Sequence, residues 1–169
     1  MRLENILDKA VLIIKRFDRY NEQFIPFLSA MSMIGARDNE QHSYLELACA
    51  LSQYGAFPDK DMVQLWRRIV FFVMVSNMDD HLRNHGFLYE RYNGWKLSPA
   101  YDMNPTPIDI SPRVLTMAID LTDTNASLET AMCVAKEFRL HKKQALYIME
   151  EVSAPYGSGI GIWCVQTRM

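Results

Sequence analysis

Residues 59–76, "DKDMVQLWRRIVFFVMVS", place the tightest limit on what this chain can fold into. Asp59 or Asp61 can cap a helix start, and the first half that follows is amphipathic, with Arg67 and Arg68 on a polar face. From Ile69 to Val75 every residue is apolar, so a helix here must leave the surface and enter the core. Seven residues cannot cross about 30 Å of hydrocarbon, which excludes a membrane anchor. The buried helix delivers the chain into "SNMDDHLRNH", residues 76–85, crowded with carboxylates, imidazoles and amides. Polar groups at the exit of a rigid element are held where a site needs them.

The flanks predict one mainly α domain with a small β-hairpin. "AVLIIKRF", residues 10–17, reads as a strand, and "EQFIPFLSAMSMIGA" as a loop with one short helix. "SYLELACALSQYGAFP" reads as a helix capped by Ser43, with Leu45, Ala48, Cys49 and Leu51 at three-to-four spacing and Gly55 and Pro58 ending it. "GFLYERYNGWKLS", residues 86–98, is a hairpin around Asn93-Gly94. "SPAYDMNPTPIDISP" is too rich in proline to be regular, and residues 126–140 and 141–152 read as two further helices. The core spans about residues 10–152 of a single domain, 1–169, with residues 153–169 as an atypical tail. The tail glycines Gly157, Gly159 and Gly161 lack the preceding strand and following lysine of a phosphate loop.

A net charge of −2 gives no electrostatic footprint for nucleic acid or an anionic membrane. Cys49, Cys133 and Cys164 are scattered and odd in number, which suits a reducing cytosol and predicts a cytoplasmic protein. The charged N-terminus lacks the apolar core of a signal peptide.

Within the acidic stretch, Asp79 and Asn84 have the Asp-to-Asn spacing of a protein-kinase catalytic loop. Phosphoryl transfer needs a carboxylate at the acceptor hydroxyl and an amide oxygen on a metal, both beside one phosphate. A hairpin and then Asp102 in "SPAYDMNP" follow in the order that chemistry uses, although the motif is not D-F-G. Asp80 is one residue too close to Asn84 and is expected to cap or orient the loop. A metal-dependent hydrolase is the rival, since His81 and His85 are four apart. It lacks the zincin glutamate, and Gly86 argues for a loop in place of a helix.

"SNMDDHLRNHGFLY" followed by "GWKLSPAYDMNPTP" resembles the C-terminal lobe of the HipA-type serine/threonine kinases, toxins of bacterial toxin–antitoxin systems. The resemblance extends through "VLIIKRFDR", "IPFLSAMSMIGA", "SYLELACALSQYGA" and "NASLETAMCVAKEFRL". It implies a protein-kinase-like C-lobe, ATP and Mg²⁺ as cofactors, Asp79 as catalytic base, and Asn84 and Asp102 as metal ligands. It places His81, Leu82 and Arg83 beside the phosphates, Tyr101 and Asp102 at the nucleotide, and Lys15, Arg16 and Phe17 at the adenine hinge. The implied partners are a protein substrate (in the family, an aminoacyl-tRNA synthetase) and a helix-turn-helix antitoxin, with DNA reached only through the antitoxin and no membrane. A kinase also needs a phosphate-covering loop and a strand lysine, for which the ten residues before "VLIIKRF" leave no room. The N-lobe is therefore expected to be absent, or supplied by a separately encoded chain, with little activity in this one alone. The alternative is a non-catalytic protein-binding remnant of the lobe.

Overall fold

The computed structural model describes residues 2–107 and 113–154. Pro112, Cys164 and the tail glycines Gly157, Gly159 and Gly161 lie outside them.

The long helix forms as the apolar run requires. α3 spans Pro58–Val75, and its second half buries Ile69, Val70, Phe72 and Val73. It starts at Pro58, ahead of both aspartates expected to cap it. Pro58, expected to end the preceding helix, instead opens this one at its first position, where its missing N–H costs nothing. Asp61 is not a cap: its carboxylate is buried and accepts the Leu97 N–H at 2.9 Å, fixing a later strand to α3. At the far end Ser76 takes a left-handed conformation (φ 53°) and its N–H bonds to Phe72 O, which turns the chain sharply out of the helix.

The other helices gather on α3. α2, Tyr44–Tyr54, starts at Ser43, whose N–H donates to the Glu46 carboxylate at 2.6 Å. Its buried face is Tyr44, Leu47, Ala48 and Leu51, so Cys49, expected on that face, is exposed. α1, Ala30–Ile34, is the expected short helix, capped by Ser29 and ended by Gly35 at φ 70°. The helix expected over 126–140 is split: α4 covers Leu128–Cys133 and a 3₁₀ turn covers Ala135–Phe138. α5 spans Lys142–Ser153. The Trp66 indole N–H donates to Ala131 O at 3.0 Å and joins α3 to α4. Fully burying each large apolar side chain in this core contributes about 1.5–3 kcal/mol.

There is more β structure than expected, all antiparallel. β1 (Arg2–Ile6) and β2 (Lys9–Ile13) form a hairpin, and β3 (Arg19–Tyr20) and β4 (Gln23–Phe24) a smaller one. The strand expected over 10–17 thus stops at Ile13. β5 (Phe27–Ser29), β6 (Gly86–Tyr89) and β7 (Trp95–Leu97) make a three-stranded sheet in that order. The hairpin expected over 86–98 is β6–β7, but its connection is five residues, with the Glu90 N–H on Gly94 O at 2.7 Å. Residues 98–107 carry no regular element.

Candidate active site

The loop between α3 and β6 is built by two side chains that face opposite ways. Asp79 is exposed, whereas Asp80 is fully buried. The Asp80 carboxylate accepts the Tyr44 hydroxyl at 2.5 Å and pairs with His85 Nε2 at 2.8 Å. Burial and the neighbouring Asp80 charge push the Tyr44 phenol well above its ordinary pKa, so it stays a donor. A 3₁₀ turn, Leu82–Asn84, then returns the chain so that the Asn84 amide nitrogen donates to Asp79 O at 3.1 Å. That bond uses the NH₂ end of Asn84 and leaves its amide oxygen as the end able to face a cation.

The Asp102 segment is tied to this loop. The Tyr101 hydroxyl donates to Arg83 O at 2.7 Å, so the residue before Asp102 grips the residue before Asn84. Asp102 itself is exposed, sits at φ 54°, and accepts the Asn104 amide at 2.9 Å. Thr106 N–H bonds to Val75 O, and Thr116 donates to Met78 O at 2.6 Å, bracing the loop from its other side. Phe17 packs on Tyr101 and Phe27, with ring centroids 5.8 and 6.3 Å away. The segment read as a hinge therefore touches the Asp102 segment through one aromatic contact. A groove of about 760 Å³ opens there, with Phe17, Leu88, Ala100 and Met103 among its apolar lining.

The other expected residues divide. Lys15 and Arg16 are exposed, Arg16 chelating Asp18 at 2.8 and 2.5 Å, which raises the guanidinium pKa and lowers that of the carboxyl. Leu82 packs into the core, so its side chain faces no ligand. Arg83 is exposed and paired with Asp38. His81 is partly buried, and its Nδ1 has no partner. His85 is fully buried against Asp80, so the two histidines do not share one open face. No group of three or more His, Cys, Asp or Glu able to hold a metal ion is found among the described residues. Asn84 and Asp102 offer one amide and one carboxylate oxygen, a hard-oxygen pair suited to Mg²⁺ when phosphate oxygens and water complete its shell.

Arg68 was not foreseen. Its side chain turns inward and donates to Ser98 O, and burial lowers its pKa to about 10 against the opposing pull of Asp80, Asp61 and Tyr101. It remains a cation at neutral pH and lines the groove beside Phe17. On the helix pattern it is one of two surface-like arginines; only the tertiary contact distinguishes it.

Known proteins agree with this architecture. The family model of the HipA-like C-terminal domain matches residues 1–158. A Haemophilus influenzae protein named "Putative kinase" is 31% identical over 110 residues, covering 59% of this chain and 31% of that protein. The HipA of a Shewanella oneidensis toxin–antitoxin complex with HipB and operator DNA shares the fold, with a TM-score of 0.73 and 18% identity. That likeness covers 94% of this chain and 43% of the solved one, so the chain spans less than half the length of either relative. By the extent of the family match, the chain belongs to the HipA-like C-terminal domain family, a family of toxin–antitoxin kinases.

Proposed function

We propose that this chain is the catalytic-loop-bearing lobe of a serine/threonine protein kinase, in which Asp79, Asn84 and Asp102 serve phosphoryl transfer from ATP to a protein hydroxyl. The observation that carries this reading is the tie between Tyr101 and Arg83, which brings the Asp102 segment against the Asp79–Asn84 loop. In that role the exposed Asp79 carboxylate orients the acceptor hydroxyl and takes its proton. Asn84 and Asp102 would hold Mg²⁺, which neutralises charge on the phosphates. The groove beside Phe17 and Met103 is large enough for an adenine base, and Arg67, Arg68 and Lys96 line it along with its apolar residues. Lys15 and Arg16 lie next to Phe17 and would meet the nucleotide through their main chain. His81 and the Arg83 main chain would flank the phosphates.

A kinase also uses a strand lysine and a phosphate-covering loop to cradle the triphosphate, and a lobe acting without them should position it poorly. The β1–β2 hairpin exposes Leu3, Ile6 and Leu12, apolar surface suited to a polypeptide partner such as a separate N-lobe. The same exposed surface favours the second reading, a non-catalytic module that binds a protein such as a helix-turn-helix antitoxin. Transfer of labelled phosphate from ATP decides between them. The kinase reading expects negligible transfer by the chain alone, and transfer lost in Asp79→Asn once a matching N-lobe is supplied. No transfer under any complementation, with partner binding that survives Asp79→Ala and Asp102→Ala, supports the binding module instead.

A further inference from the structure

Asp80 has no role in the chemistry proposed for Asp79, yet it is fully buried, with Oδ2 held by two donors and Oδ1 without a partner. The donors are the Tyr44 hydroxyl at 2.5 Å and His85 Nε2 at 2.8 Å. Tyr44 opens α2 and His85 precedes β6, so a single carboxylate oxygen joins both elements to the loop that leaves α3. The His85 ring is itself wedged edge-on between Tyr44 and Phe72, at centroid distances of 5.8 and 6.1 Å. Its carbonyl accepts the Ala30 N–H at 2.8 Å, which fastens it to α1 as well. The His85 Nδ1 is buried without a partner, so the Nε2–H tautomer is the one that this contact uses. Arg68 supplies opposite charge from α3.

We propose that Asp80, gripped by Tyr44 and His85, is the positioning residue of the loop. It touches neither nucleotide nor acceptor and acts through the main chain. Asp80 is buried and Asp79 exposed, so holding the Asp80 side chain inside fixes the backbone from which the Asp79 side chain projects. With the Asp80 main chain immobile, Asp79 O stays in place to receive the Asn84 amide, and Asn84 N–H stays on His81 O at 2.8 Å. Both donors offset the desolvation of this buried carboxyl group, and an acceptor left inside without them is costly. Removing one donor should therefore loosen the loop before it unfolds the core. This inference rests on the kinase reading for the ligand concerned, but the hold on the loop can be measured without any ligand.

The test uses the full chain, with Tyr44→Phe, His85→Leu and the rescue variant His85→Gln, whose side-chain N–H stands where Nε2 stood. Two quantities are followed: exchange of the Asn84 amide hydrogen relative to amides in the middle of α3, and ATP affinity by calorimetry with and without Mg²⁺. A hydrogen bond to a charged group is strong enough that its loss shifts an equilibrium about tenfold or more. Tyr44→Phe and His85→Leu should speed Asn84 exchange by about that factor while the α3 amides stay protected. They should also lower the Mg²⁺-dependent gain in ATP affinity by a similar factor and leave the Mg²⁺-independent part alone, and His85→Gln should retain most of both. If His85→Leu does not fold, Tyr44→Phe decides. Unchanged Asn84 exchange in Tyr44→Phe overturns the proposal, as does a loosened loop with unchanged Mg²⁺-dependent binding. A wild-type chain that protects Asn84, loses that protection in Tyr44→Phe and never shows Mg²⁺-dependent ATP binding overturns the kinase reading while the hold of Asp80 on the loop stands.

Discussion

Asp61 and Asp80 are buried carboxylates on α3 and at its exit, and each accepts hydrogen bonds that a surface aspartate would take from water. Burial raises the pKa of Asp61, opposed by the Leu97 N–H and by the Arg68 and Lys96 charges. A raised carboxyl pKa means that the folded state binds the proton more tightly, so this contribution is full below the unfolded value near 3.9 and is lost as pH rises through the folded value. Asp61→Asn keeps an oxygen for Leu97 and removes the ionisation. Wild type should therefore lose stability relative to Asp61→Asn as pH rises from the unfolded carboxyl value, about 3.9, through the raised folded value. Urea midpoints of both proteins across that range check the sign, and a difference that does not change with pH contradicts it. Among single residues, the Asp79-to-Asn84 spacing and the later Asp102 stand out in the sequence, and the structure joins their two segments through Tyr101 and Arg83. Tyr44 and Arg68 do not stand out. A tyrosine at a helix start and an arginine on a polar face acquire meaning only from what a distant segment packs against them.

At the scale of elements, local chemistry was readable where it is written in side chains with one conformational preference. Ser43 announced the start of α2, and the structure adds the Glu46 carboxylate, which accepts the Ser43 N–H at 2.6 Å. Glu46→Ala should lower stability by about 1 kcal/mol, read as a shift of the thermal midpoint. Asn93-Gly94 announced the β6–β7 hairpin, although the connection is longer than the two-residue turn which that pair favours. Gly94 sits at φ 102°, and a Cβ there would stand 2.5 Å from Tyr54 O. Gly94→Ala should therefore destabilise by about 1–3 kcal/mol in urea melts, more than a surface glycine would. The β1–β2 hairpin was not legible. Its turn residues Leu7 and Asp8 take φ 49° and 60°, where Asn and Gly are expected, so nothing local marks a reversal. The break between α4 and the following 3₁₀ turn was equally hidden, since residues 126–140 keep an apolar helical pattern through it.

For the whole molecule, the core and the candidate site belong to different parts of the architecture. The helices packed on α3 carry the stability, while the three-stranded sheet and the loops beside it carry Asp79, Asn84 and Asp102. The β1–β2 hairpin contributes little to that core, and its Leu3, Ile6 and Leu12 stay exposed. Among the described residues no helix is long and apolar enough to cross a membrane. Class and family were legible because a buried helix leading into an Asp–Asn loop is a rare combination. The amount of β structure was not, because hairpins this short depend on tertiary support more than on their own residues.

The most direct test of the Mg²⁺-nucleotide site is a thermal-shift titration of the chain with ATP, with and without Mg²⁺, beside Asp102→Asn. Ligand at about a hundred times its dissociation constant stabilises by about 2.7 kcal/mol, several degrees for a domain of this size. A Mg²⁺-dependent rise that disappears in Asp102→Asn is the predicted result. A cooperative melt that ATP and Mg²⁺ leave unmoved would contradict it.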